Sequence, residues 1–179
     1  MQFKKNIEGH YNIRPLTLRD ESLLESLCKR CSDYYVITEG HKPNANNVSK
    51  IIEEIPPGKK YKDKYVIGIF DSSDKLIGVL DMIKDYPMKQ DWVLSLLMID
   101  PAKRHMGIGK SVHKYITNQL FKTGAAQLKI CVTENNKSAY EFWRSLGYIE
   151  NYRKQYVLGS KQSVFIIMTL SLINKKHLI

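Results

Sequence analysis

The stretch "WVLSLLMIDPAKRHMGIGKSVHKYI", Trp92 to Ile116, decides the fold. Its first part, Trp92 to Ile99, is apolar and reads as a buried strand. Asp100-Pro101 stops that strand, because proline has no N–H to donate to a ladder. Beyond the glycines, Ile108, Val112, Tyr115, Ile116 and Leu120 recur at helical spacing. The unit is therefore strand, glycine turn, helix. Glycine lets the backbone turn tightly and lets a ligand come close to its N–H groups. The first N–H groups of a helix have no partner within it and carry the positive end of its dipole. Such an end is an anion site, and phosphate is its usual guest. A Gly-x-Gly turn alone is equally compatible with an ordinary connection that binds nothing.

Working outward, the 179 residues suggest a single domain over positions 1–179. Hydrophobic residues make up 43%, enough for a core, and no apolar run approaches the roughly 20 residues that span a bilayer. The opening "MQFKKNIEGHYNIRP" has no apolar signal core, so a cytoplasmic protein with no membrane partner is expected. Three cysteines form no disulfide framework. "CKRC", Cys28 to Cys31, fits a helix stripe better than a metal site, and no metal is expected. The net charge of +10 admits a polyanionic ligand or nucleic acid. The basic residues are scattered over Lys59-Lys60, Lys103, Arg104 and Arg153-Lys154, with no nucleic-acid motif. Nucleic acid is not expected as a partner, and the cations beside the glycine turn carry the most information.

Along the chain, "YNIRPLTLRD" reads as a strand running to a helix cap at Asp20. A helix follows with Leu23, Leu24, Leu27, Cys28 and Cys31 on its stripe. "SDYYVITEGHKPNANN" is polar and turn-rich, and a second helix then buries Val48, Ile51, Ile52 and Ile55 before Pro56-Pro57-Gly58. "KYVIGIF", "LIGVLDMI" and "WVLSLLMI" are three successive strands. The long helix ends near Gly124, "AQLKICV" is a strand, and "NKSAYEFWRSLG" a short helix. "YIENYRKQYVL" and "SVFIIMTLSL" close the chain as a hairpin around "GSKQ". His113 is expected at the surface. This order predicts an α/β (α+β) fold: a mixed, mostly antiparallel sheet of about six to seven strands with helices on both faces.

Two blocks then converge. "LLMIDPAKRHMGIGKSVHKYI" resembles the acyl-CoA-binding motif of the GNAT superfamily of N-acetyltransferases, with matches at Pro101, Arg104, Gly107 and Gly109. The superfamily's second block is matched by Asn136, Ala139, Trp143, Leu146, Gly147 and Tyr148. The resemblance implies acetyl-CoA as co-substrate, with its pyrophosphate on the main-chain N–H groups of His105, Met106, Gly107, Ile108, Gly109 and Lys110 beside Arg104. It also implies that the pantetheine arm pairs with Leu97 and Ile99, where two strands splay apart. An amide at or beside Leu97 would donate to the developing oxyanion. Asn136 would hold the arm from the other side, with Ala139 and Trp143 lining it. The implied reaction is direct attack of a primary amine, on a small molecule or peptide, upon the thioester; a homodimer is compatible with it. An alternative is a non-catalytic module that binds acyl-CoA or nucleic acid. A dinucleotide oxidoreductase is excluded by the missing third glycine and the missing parallel βαβ series.

The departures from the family pattern fall on proton transfer. Many members place a tyrosine acid where this chain has Trp143, and indole cannot release a proton near neutral pH. Tyr140, one turn earlier, is the candidate acid, with packing against Trp143 as its other reading. The usual glutamate base is absent from "WVLSLLMI", whose polar member is Ser95. Asp81 is the candidate base, facing either a cleft or solvent at a sheet edge, and Asp85 follows it. For the acceptor, "SDYYVITEGHKPN" supplies Asp33, Tyr34, Tyr35 and Glu39, which together with Asp81 and Asp85 would suit a cationic amine. That segment is expected to be an extended loop, with a mobile surface loop anchored by one tyrosine as the other reading.

Overall fold

A computed structural model describes residues 6–7, 11–158 and 161–173. Strand β1 is Asn6–Ile7 and β2 is Tyr11–Pro15; helices α1 (Glu21–Arg30), α2 (Ser32–Glu39) and α3 (Ala45–Glu53) follow. Then come β3 (Lys64–Phe70), β4 (Leu76–Lys84), β5 (Asp91–Ile99), α4 (Ile108–Lys122), β6 (Gln127–Thr133), α5 (Lys137–Ser145), β7 (Ile149–Leu158) and β8 (Lys161–Ser171). One eight-stranded sheet runs β1-β2-β3-β4-β5-β6-β8-β7. All seven expected strands are present, and the two-residue β1 is added at the edge. Among the described residues only β5 and β6 run parallel, because the α4 crossover returns the chain to the same end of the sheet. The expected turn at "GSKQ" falls partly on residues 159–160, outside the described residues.

The sheet divides the core in two. On one face Ile67, Ile69, Leu80 and Trp92 meet Ile108, Val112, Ile116 and Leu120 of α4 and Trp143 of α5. On the other, Val66, Phe70, Val79 and Met98 meet Leu24, Leu27 and Cys28 of α1, Tyr35 of α2, and Val48 and Ile51 of α3. Cys28 and Cys31 are fully buried, as the helix stripe requires. Leu23 falls off that stripe and is exposed.

Three local readings change. Asp20 does stand at the N-cap position of α1, but its side chain makes no capping bond there; Thr17 caps the preceding 3-10 turn, Leu18–Asp20. Asp20 is its reciprocal partner, accepting from the Thr17 N–H at 2.9 Å and from Arg14 at 2.7 Å. The segment read as an extended loop is helix α2, closed by Gly40 in the left-handed conformation. Its mixed polarity hides the period, because it packs on only part of its surface. His113 is buried, with its Nε2 3.1 Å from the Tyr148 hydroxyl. Pairing with Tyr148 satisfies an imidazole that the expectation placed in solvent.

Candidate active site

Strands β5 and β6 pair only as far as Leu94 and Ile130. Past that point they diverge, and each keeps its other neighbour: β4 for β5, and β8 for β6. A bulge sits at the fork, since Met82 faces Leu94 and Asp81 faces Leu96, leaving Ser95 as the extra residue. The Asp100 N–H bonds the Ile77 carbonyl at 2.8 Å, so Ile99 and Gly78 form a pair without mutual hydrogen bonds. By alternation, the N–H and C=O of Leu97 and Ile99 point away from β4, into the fork. The Ile99 carbonyl already accepts from Arg104 Nε at 2.9 Å, so Leu97 and the Ile99 N–H are the backbone groups offered there.

Above the fork lies the glycine turn. His105 and Gly107 both have left-handed backbones, with φ of 62° and 81°. Helix α4 starts at Ile108, and the Ser111 N–H closes on the Gly107 carbonyl at 3.0 Å. The amides of Ile108, Gly109 and Lys110 therefore precede the helical ladder. Gly109 fits for a different reason: a Cβ there would lie 3.2 Å from the Phe142 ring. A cavity of about 590 Å³ joins the turn, Leu97, Met98 and Ile99 to Asn136, Ala139, Phe142 and Trp143 across the fork. Asn136 caps α5 by accepting from the Ala139 N–H at 3.1 Å. Trp143 is the buried wall, edge-on to Phe142 and Tyr148 at 4.9 and 5.2 Å between ring centres. Met106 projects into solvent. The sequence reading missed Phe142 as a lining residue, and it missed Ile37 because α2 went unrecognised as a helix.

The charged candidates have partners. Arg104 grips both oxygens of Asp33 on α2 and lowers that carboxyl below its ordinary range by its hydrogen bond. Asp33 is thus at the cavity mouth but is committed to a guanidinium. Tyr34 lines the cavity. Tyr35 instead is 2% exposed and its hydroxyl is 3.2 Å from Cys28 Sγ, so it is core. Glu39 accepts from Asn47 Nδ2 at 2.8 Å and joins α2 to α3. Asp85 accepts from the Gln90 N–H at 2.8 Å in the hairpin before β5, at the far end of that strand from the cavity. Tyr140 donates to Glu150 at 3.0 Å, on the side of α5 turned from the cavity, and this bond pushes its phenol up. The expected cationic-amine pocket built from Asp33, Glu39, Asp81 and Asp85 is not assembled.

Asp81 lies neither at an edge nor in an open cleft. It is buried in central strand β4, 2.8 Å from Lys64 Nζ and 2.7 Å from Ser95 Oγ. Burial pushes its carboxyl up, against the opposing pull of Lys64 and Ser95. Among the described residues no group of three or more metal-ligating side chains converges, and no helix is long and apolar enough to cross a membrane.

The family model described as "Acetyltransferase (GNAT) family" matches residues 25–148, from α1 through both blocks. The chain belongs to the GNAT family of acetyltransferases. Its fold is shared with an acetyltransferase from Thermus thermophilus, at a TM-score of 0.72 and 21% identity over 89% of this chain and 97% of that one. The ribosomal-protein-S18-alanine N-acetyltransferase of Escherichia coli aligns at 0.68 with 17% identity over 94% and 99%. The Vibrio cholerae spermidine N-acetyltransferase in complex with CoA and spermine aligns at 0.68 with 15% identity over 90% and 95%. No curated protein sequence matches the chain significantly. The fork, the glycine turn and the α5 wall line one cavity.

Proposed function

We propose that this protein transfers an acetyl group from acetyl-CoA to a primary amine by direct attack. The observation that carries the reading is the single cavity that joins an open helix N-terminus to a forked sheet. The amides from His105 to Lys110 suit a pyrophosphate through hydrogen bonding and the helix dipole. Lys103 adds positive charge at the same mouth. The outward groups of Leu97 and the Ile99 N–H suit a peptide-like arm laid along β5. The Asn136 carbonyl oxygen is spent on its cap, so its amide Nδ2 is the group that would donate to the arm. The Leu97 amide would donate to an acyl oxygen at the fork. Arg104 holds the loop to β5 and α2, and supports the phosphate site by shaping it.

The acceptor would approach from the α2 side, past Tyr34 and Ile37. Since Asp33, Glu39 and Asp81 are each engaged, recognition of a polycation by free carboxylates is not favoured. The test is calorimetric titration with CoA, followed by thiol release from acetyl-CoA across polyamines, aminoglycosides, amino acids and peptide N-termini. CoA binding with amine-dependent thiol release is expected. CoA binding without turnover of any amine would favour the non-catalytic acyl-CoA-binding module instead.

A further inference from the structure

We propose that Ser95 is the catalytic residue that meets the acceptor amine, and that Asp81 behind it is the proton sink. This rests on the acetyl-transfer reading above. Ser95 is the first residue of β5 beyond the last β5–β6 pair, so it stands at the root of the fork. It is the extra residue of the bulge, and bulges re-aim side chains. Although it belongs to a central strand, it is exposed. Its Oγ lies 2.7 Å from Asp81 Oδ2 and 3.1 Å from the Asp81 carbonyl oxygen. A serine hydroxyl has one proton and two lone pairs. With its proton directed at Asp81, its lone pairs can accept an N–H from the solvent side.

Asp81 is built to receive that proton. It is 7% exposed, and its Oδ1 is buried with no hydrogen-bond partner among the described residues. An ionised carboxylate in such a place is under-solvated, which favours protonation. The groups that act on it are Lys64 from β3, Ser95 from β5 and Glu54 beyond α3. Lys64 and Ser95 pull Asp81 toward its ionised form, while burial and the missing Oδ1 partner pull it toward the protonated one.

The step balances as follows. The acceptor arrives as an ammonium ion and gives one proton to Ser95 Oγ while the serine's own proton passes to Asp81 Oδ2. The neutral amine then attacks the thioester carbon, and as the C–N bond forms its nitrogen releases a second proton to solvent. The C–S bond breaks and sulfur leaves with the electron pair. The products are an amide, a CoA thiolate, one proton in solvent and one held on Asp81, which returns through Ser95 to solvent once the amide departs.

The experiment compares two nucleophiles with acetyl-CoA: hydroxylamine, which is neutral near pH 7, and the fastest alkylamine of the panel. Ser95→Ala, at an exposed position, should fold and bind CoA like the parent. It should lower kcat for the alkylamine by about a hundredfold or more, while hydroxylamine turnover stays at the parent rate. Ser95→Thr, which keeps the hydroxyl, should restore the alkylamine rate. Asp81→Asn alone would strand the Lys64 charge, so the matched variant is Lys64→Met with Asp81→Asn, checked for CoA binding. It should reproduce the selective loss. Unchanged alkylamine turnover in Ser95→Ala, or equal loss with both nucleophiles, would overturn the relay while leaving acetyl transfer standing. A parent that turns over neither nucleophile would overturn both.

Discussion

Replacing Gly107 with alanine tests whether the glycine turn binds CoA through its backbone. Gly107 has φ of 81°, a conformation that costs a residue with a Cβ about 1–2 kcal/mol. A Cβ there meets nothing within 4 Å, so the cost is conformational and no side chain is displaced. The free loop can shed that strain by leaving its left-handed turn, and the amides of Ile108 to Lys110 then lose their common direction. Ligand binding must restore the turn at that same cost of about 1–2 kcal/mol, so CoA affinity should fall by roughly five- to thirtyfold. Gly124 supplies a matched control beyond the other end of α4. It has φ of 74° and likewise nothing within 4 Å of an added Cβ. Gly124→Ala should lose similar thermal stability with CoA affinity unchanged. Calorimetric titration of both variants, alongside thermal melts, separates the two effects. Parental CoA affinity in Gly107→Ala, or equal weakening in both, would refute the backbone-cradle argument.

Other outcomes follow from the contacts around the cavity. Tyr140→Phe should leave kcat and CoA affinity at parental values in a turnover assay, because its hydroxyl serves Glu150. The Asp33 carboxyl should titrate below its unperturbed value of about 3.9, as followed by NMR, because Arg104 stabilises its charged form. The ion pair therefore contributes above that pH and is lost as pH falls through the lower folded value; Arg104→Ala should return the midpoint to the ordinary range. Of the three thiols, Cys28 and Cys31 should stay silent to a thiol reagent until the chain unfolds. Cys131, the exposed thiol, should react in the native protein.

Most of the sheet was legible because its signals are local. Val66 to Phe70, Leu76 to Ile83 and Trp92 to Ile99 are short apolar runs bounded by turns, and the glycines of the β5–α4 connection sit where a left-handed backbone is needed. Helix α2 was not legible. It packs Tyr35 and Thr38 inward while Asp33 and Val36 face out, and the adjacent tyrosines suggested alternation in place of a helical period. The two-residue β1 is too short to carry any pattern, and its pairing with β2 is what makes it a strand.

The acceptor side failed in the sequence for a different reason: a carboxylate's availability depends on its partner, and partners are distant in the chain. Asp33 is 71 residues from Arg104, and Asp81 is 17 from Lys64. Counting acids in the sequence therefore produced a negative pocket that folding neutralises. The same reasoning overlooked Ser95, whose hydroxyl matters through its bulge and through Asp81 across the strand pair. Replacing a glutamate on β5 by a serine backed by a buried carboxylate on β4 keeps proton acceptance at the fork but removes a formal charge from the surface that the acceptor meets. A cationic acceptor would lose attraction by that exchange. The paired acids and the serine thus point the same way: in the proposed reaction the acceptor would be selected by shape and hydrogen bonding along Tyr34 and Ile37 more than by free negative charge.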